Sequence, residues 1–278
     1  MDTVNTHQKY IDISNFKNCF GKKHPTFGGY LPNDSQEFCR VFLEDLNSEL
    51  NEVKEKTLYK MLTISSKKEK IELDKEFNNA FEKREKSIVT DLFYSQIVTT
   101  FTCECSAKTY SFQKILDFPL LLPQNQQKVS IKDLLTSYFQ TETIDFENKC
   151  DDCSKVLKHK KESKISRPPE ILILSLQRID QVTQKKNECM VNFPQILDMS
   201  EFIDKECGYG QKPVYNLFGV INHVGKIEYG HYFSYIKIQD REDWFEFNDS
   251  AVKNIGKNFD SFPYAYILFY VQNKNMIK

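Results

Sequence analysis

Apolar and polar positions follow two different periods along this chain. Phe38, Val41, Phe42, Leu46 and Leu50 recur at helical spacing, the stripe of an amphipathic helix. Asp34 precedes them as an N-cap residue, and Glu37 sits where the partner of a capping box would be. The spacing predicts a helix from Asp34 to about Lys56. Upstream, Pro25, Gly28, Gly29 and Pro32 break residues 1–33 into loops, with a short helix near Ser14–Cys19. Residues 51–90 are dense in Lys and Glu, as in Lys67-Lys68-Glu69-Lys70. They read as solvated helix faces or an inserted segment without chemistry.

From Asp91 the texture turns to β. Ile97–Thr102 reads as a strand that leads into Cys103-Glu104-Cys105. Ile115–Leu122 is a second strand, ended by Pro123; Pro119 within it lacks a ladder donor and belongs at a sheet edge. Ile131–Phe139 has helical spacing, and Cys150-Asp151-Asp152-Cys153 precedes a basic strand over Lys155–Lys164. Glu170–Leu176, behind Pro168-Pro169, is a near-continuous apolar run expected to be buried on both faces. Tyr215–Ile221, His231–Ile238, Trp244–Asn248 and Tyr264–Val271 complete a β-rich half with short connections, which implies a largely antiparallel sheet.

Composition changes little in this picture. The chain has 278 residues, 40% hydrophobic and 28% charged, enough for one large domain or two ordinary ones. A net charge of −1 gives no electrostatic reason to expect nucleic acid. No apolar run reaches the roughly 18 residues that span a bilayer, so no membrane is expected as a partner. The polar start, Met1-Asp2-Thr3-Val4-Asn5, is not a secretory signal, and eight cysteines without one suggest reduced thiols in a cytoplasmic or nuclear protein.

Two clusters offer chemistry. Cys103, Cys105, Cys150 and Cys153 could together hold one structural zinc, or remain four free thiols. The second pair has the usual C-x2-C spacing; the first is one residue short, which hampers the turn a chelating loop needs. Cys19, Cys39, Cys189 and Cys207 stand alone and read as small apolar residues. Of five histidines, His7, His24 and His159 lie in polar or basic surroundings and read as surface residues. His223 ends a strand, where a structural hydrogen bond suits it. His231 follows Gly230, which permits close backbone approach, and the run Gln239–Asp243 would fold Trp244–Ser250 back beside it as a hairpin. That brings Asn248 and Asp249 near His231, a base with candidate orienting groups.

At these residues the chain resembles the ubiquitin-specific protease family of papain-like cysteine peptidases. Tyr215–Gly225, then Gly230-His231-Tyr232, then Trp244–Ser250 look like its histidine box, and Asn33-Asp34-Ser35-Gln36-Glu37-Phe38 resembles its Gln-Asp-Ala-x-Glu-Phe motif. Asp91–Gln96, the cysteine pairs and Pro169–Arg178 fit in order. The resemblance implies an α+β fold with a partial helical thumb (1–90), β fingers tipped by the zinc site (91–165) and an antiparallel palm (166–278). It implies His231 as general base, Asn248 as the third triad residue with Asp249 after it, and Asp34, Glu37, Gly230 and Tyr232 along the ubiquitin tail. No catalytic cofactor is implied.

The family's cysteine box, roughly Gly-Asn-Thr-Cys-Tyr-Met-Asn-Ser, has no counterpart here. The only cysteine before Asp34 is Cys19, in Phe16-Lys17-Asn18-Cys19-Phe20-Gly21, which resembles a segment with no catalytic role. Without a thiolate, His231 has nothing to activate. The expectation is a thumb truncated at its N-terminus and an inactive relative that binds ubiquitin, a ubiquitinated protein or a complex partner. The alternatives are a fragment of an active cysteine deubiquitinase whose cysteine box lies upstream of Met1, and a structural subunit of a larger assembly.

Overall fold

Asp34 opens the helix that joins the two halves of the molecule: its side chain accepts from the N–H groups of Gln36 and Glu37. The computed structural model describes residues 12–55, 68–145, 149–179, 185–210, 212–226, 229–238, 241–257, 261–262 and 264–273. Helices α1 (Ser14–Lys23), α2 (Pro25–Gly28), α3 (Ser35–Glu49), α4 (Lys70–Glu82) and α5 (Ile88–Phe93) come first. Strands β1 (Ser95–Cys103), β2 (Lys108–Ile115), β3 (Phe118–Leu121) and β4 (Lys128–Ser130) precede α6 (Ile131–Tyr138). Then follow β5 (Glu142–Asp145), β6 (Lys158–Arg167), β7 (Ile171–Gln177), β8 (Met190–Asn192) and β9 (Ile196–Asp198). After two 3-10 turns, Ser200–Phe202 and Lys205–Cys207, come β10 (Val214–Gly225), β11 (Gly230–Lys237), β12 (Trp244–Asn248), β13 (Ala251–Gly256), β14 (Ser261–Phe262) and β15 (Ala265–Gln272).

The strands form three sheets. The largest runs β13-β12-β11-β10-β15-β7-β3, with β9 also paired to β10; a second runs β2-β1-β6-β5, and a third β14-β8-β4. All pairings are antiparallel except β3 with β7 and β4 with β8. Pro119 lies on edge strand β3, where a missing donor costs nothing. Next to it, interior strand β7 is buried along Leu172–Leu176, as its unbroken apolar run requires. One face of the large sheet joins the main core around Leu172, Leu174, Leu268 and Tyr270. The other receives α3 and α5 through Leu43 and Val89, against Ile173 and Ile267. Among the described residues no helix is long and apolar enough to cross a membrane.

Several expectations change. Helix α3 stops at Glu49, and Leu50 is exposed; Lys56 lies outside the described residues. The helix has two apolar sides rather than one stripe: Phe38 and Phe42 meet Phe16 and Phe20 of α1, while Cys39 and Leu46 face the sheet. Among the described residues, Glu37 forms no bond back to the Asp34 N–H, so Asp34 alone caps. The Ile115–Leu122 strand divides between β2 and β3, because Asp117 turns in to accept from Gln36 and Ser175. The basic strand lies at Lys158–Arg167.

The Lys/Glu-rich stretch is no plain solvated face either. Lys70 of α4 is buried, 2.9 Å from Asp204 and 2.7 Å from Glu206. Asp74 is buried and accepts from Gln96 and Arg167. Charges so placed need partners, and each has them.

Candidate functional site

Strands β11 and β12 pair with Ser234 opposite Phe247. Continuing that register sets Asn248 diagonal to His231 on one face, within reach of long side chains. His231 Nε2 lies 2.7 Å from Asn248 Oδ1. The amide oxygen faces the ring, so the neutral imidazole carries its proton on Nε2 and keeps a lone pair on Nδ1. Asp249, at φ 51 in the turn from β12 to β13, puts Oδ2 3.9 Å from the same nitrogen. The imidazole is exposed, so Nδ1 is open to a proton donor arriving from outside.

Gly230 answers to a need inside the fold. A Cβ there would lie 1.8 Å from His223 Nε2, so any side chain would strike the ring of that buried histidine. The close approach expected at Gly230 is therefore made by a side chain, not by a backbone. The His223 ring packs on Tyr232 at 4.5 Å and on Tyr266 at 5.8 Å, and burial pushes its pKa down to about 4. Its structural role is met by packing as well as by the backbone bond from its N–H to Tyr264 O.

Tyr232 carries the link to α3. Its hydroxyl accepts from the Ser35 N–H at 3.5 Å. The Tyr266 hydroxyl donates to Asp34 Oδ2. Burial and this bond both raise the Tyr266 pKa. Asp34 thus serves as helix cap and anchor to the sheet at once. With Glu37, Arg40, Arg178 and Tyr266 it also lines a cavity of about 350 Å³. Glu37 is exposed. Gln36 completes the joint: it donates to Asp117 at 2.7 Å and accepts from Gln177 at 3.1 Å. Sequence reasoning missed Tyr266, Gln36 and Asp117; nothing in a strand pattern or a helix stripe marks the one polar atom that crosses between elements.

The four cysteines converge at the far end of the β2-β1-β6-β5 sheet. Their sulfurs all lie within 4.8 Å of one another. Cys105 and Cys150 sulfurs are 3.7 Å apart, close to the roughly 3.8 Å edge of a tetrahedron with metal–sulfur bonds of about 2.3 Å. The short first loop turns after all. Ser106 takes a positive φ of 72, and its N–H bonds Cys103 O, while Cys103 N–H bonds Ala107 O. Ser154 at φ 57 does the same in the longer loop, closing onto Cys150 O. Backbone N–H groups of Cys153 and Asp152 hold the Cys150 thiol down at about 7, toward the thiolate a metal needs. These four residues could bind a structural zinc.

The remaining histidines and thiols sit elsewhere. His159 is buried in β6 rather than at the surface, and His24 is half-buried with Nε2 2.6 Å from Asp45; His7 lies outside the described residues. Cys39 faces the sheet, and burial pushes its thiol up to about 11. Cys189 and Cys207 are buried, whereas Cys19 is exposed on α1, contrary to its apolar reading. Among the described residues, which include all eight cysteines, no thiol is hydrogen-bonded to His231.

Comparison with known proteins agrees with this geometry. The family profile described as "Ubiquitin carboxyl-terminal hydrolase" matches residues 1–270. Ubiquitin carboxyl-terminal hydrolase 2 of Gallus gallus is 32% identical over 267 residues, taking in 94% of this chain and 74% of the chicken protein. Ubiquitin carboxyl-terminal hydrolase 21 of Bos taurus is 28% identical over 284 residues, 94% of this chain and 49% of its own length. Among solved structures, the SAGA Ubp8/Sgf11/Sus1/Sgf73 DUB module bound to ubiquitin aldehyde superposes with a TM-score of 0.70 at 23% identity, over 94% of this chain and 53% of that one. The same module bound to monoubiquitin gives 0.72 at 22%, over 94% and 52%. That likeness shows the fold, the papain-like architecture of ubiquitin-specific protease domains. The chain spans about half the length of the bovine relative and of the solved neighbours. On the profile and the chicken relative together, the chain belongs to the ubiquitin carboxyl-terminal hydrolase family.

Proposed function

We propose that these residues form the base-bearing side of a ubiquitin cleft that binds without cutting. In this reading His231 is the general base, Asn248 its orienting group and Asp249 a further carboxylate at the same nitrogen. Asp34 and Glu37 take cationic side chains of the ubiquitin tail by charge-assisted hydrogen bonds, and Tyr232 flanks them. Gly230 contributes by giving room to His223. Residues 1–90 serve as a thumb, 91–165 as fingers and 166–278 as palm. The observation that carries the reading is the His231–Asn248 contact of 2.7 Å, with no thiol hydrogen-bonded to the ring among the described residues. A base with nothing to deprotonate cannot start acyl transfer. The module then acts by holding ubiquitin or a ubiquitinated protein, alone or inside a protein complex, in the cytoplasm or nucleus where its unbridged cysteines stay reduced.

Titration of ubiquitin into the chain, followed by calorimetry, tests this. Binding is expected, and ubiquitin stripped of its C-terminal tail should bind at least tenfold more weakly, about 1.4 kcal/mol. Absence of binding up to about 1 mM would remove ubiquitin as the ligand.

One observation favours a second reading. The imidazole already has an orienting amide oxygen at one ring nitrogen and leaves the other open, the arrangement a nucleophile's base requires. If a thiol were supplied from outside these residues, the same cleft would hydrolyse the bond it now only holds.

A further inference from the structure

The cover that α3 and α5 give to Ile173 and Ile267 does not extend along the whole sheet face. Side chains two positions apart on a strand share a face, so Ile171 and Val271 continue the same apolar surface. There, with Ile196 and Phe218, they line a depression of about 750 Å³. Val271 is 40% exposed and Ile196 54%. Among the described residues that line it, the charged ones are Lys237 and Arg241.

Three described acids have partners of their own. Glu242 pairs with Lys257, Asp243 accepts from Asn254 at 2.8 Å, and Asp198 accepts from the Ser200 N–H at 2.8 Å. Among the described residues neither Lys237 nor Arg241 has an ion-pair partner, and the Arg241 guanidinium rests on the Phe245 ring at 5.5 Å. The site is separate from the cleft. It meets β10 at Asn216–Phe218, whereas His231 lies opposite Val224. At about 3.3 Å per residue that is roughly 20 Å along the strand.

We propose that this depression docks an acidic segment of a partner protein that carries aliphatic or aromatic side chains. The apolar floor supplies affinity by burying such side chains. The two cations at its rim supply selection, because a basic segment would be repelled and an acidic one drawn in. A chain whose net charge is −1 has no general affinity for acidic peptides, so the preference must arise at this spot.

The test is fluorescence anisotropy on the whole 278-residue chain with a fluorescein-labelled peptide of alternating Glu and Leu. Peptides of alternating Lys and Leu, and of alternating Glu and Ser, are the comparators. Only the Glu-Leu peptide is expected to bind, more weakly as salt rises. Val271→Asp in the floor, and Lys237→Glu with Arg241→Glu in the rim, should each weaken it at least tenfold while ubiquitin affinity is unchanged. If Val271→Asp lowers the melting temperature, Ile196→Asp replaces it, since that side chain is more than half exposed. Equal binding of the Lys-Leu peptide, indifference to the rim reversal, or no binding below about 1 mM overturns the proposal. So does self-association of the chain that Ile196→Asp abolishes, because the occupant would then be a second copy.

Discussion

His231 Nε2 stands 2.7 Å from Asn248 Oδ1, across the β11–β12 pair. That contact fixes which ring nitrogen can act as a base. Nitrogen-15 NMR of the neutral imidazole is expected to show a protonated Nε2 and a bare Nδ1. Asn248→Ala should release the ring to a mixture of tautomers. A spectrum with the proton on Nδ1 would take the base out of its assigned role.

The cysteine cluster predicts one tightly held zinc per chain. Chelation, or Cys150→Ser, should lower the melting temperature by at least about 5 °C, a cost of roughly 1–2 kcal/mol for a domain of this size. Cobalt in its place should give the absorption of a tetrahedral thiolate site. Elemental analysis without metal, and a melting temperature indifferent to chelator, would leave four plain thiols.

Asp34 has two structural duties besides any role toward a ligand. Asp34→Ala removes the cap of α3 and leaves the Tyr266 hydroxyl without its acceptor. The sum should be about 2–3 kcal/mol in urea denaturation. Asp34→Asn keeps the cap acceptor and turns an amide N–H toward the Tyr266 hydroxyl, which can accept from it; it should cost less than about 1 kcal/mol, while weakening ubiquitin at least tenfold through loss of charge. Equal stability of the two variants would mean that cap and anchor carry no weight.

His223 predicts a dependence on pH. Burial holds its pKa at about 4, below the roughly 6.5 of an unfolded histidine. The unfolded chain therefore binds more protons, and stability rises with pH across that interval. The contribution is full above about pH 6.5 and falls away as pH drops toward 4, by about 3 kcal/mol. His223→Gln should flatten that part of the melting-temperature profile relative to the parent. A parallel profile in the variant would show that the buried ring does not titrate as stated.

The sequence made the sheet readable because β7, β10 and β15 carry long apolar runs, and period alone marks them. The His231–Asn248 contact was legible too, since a Gly-His-Tyr strand followed by a strand ending in Asn248 places them on neighbouring positions. What stayed hidden were contacts that cross between elements. Lys70 and Asp74 sit in a charged stretch with no local sign that Asp204, Glu206, Gln96 and Arg167 would meet them. The first cysteine pair was misjudged for a different reason. Its spacing says nothing of the backbone, and Ser106 at positive φ supplies the turn that one intervening residue cannot.

The central claim, a prepared base without its sulfur, is tested most directly by incubating the chain with ubiquitin bearing a C-terminal electrophile and weighing the intact protein by mass spectrometry. Bound but unmodified chain is the predicted result, with all eight thiols free after denaturation. A covalent adduct lost on substituting one of those cysteines would contradict it.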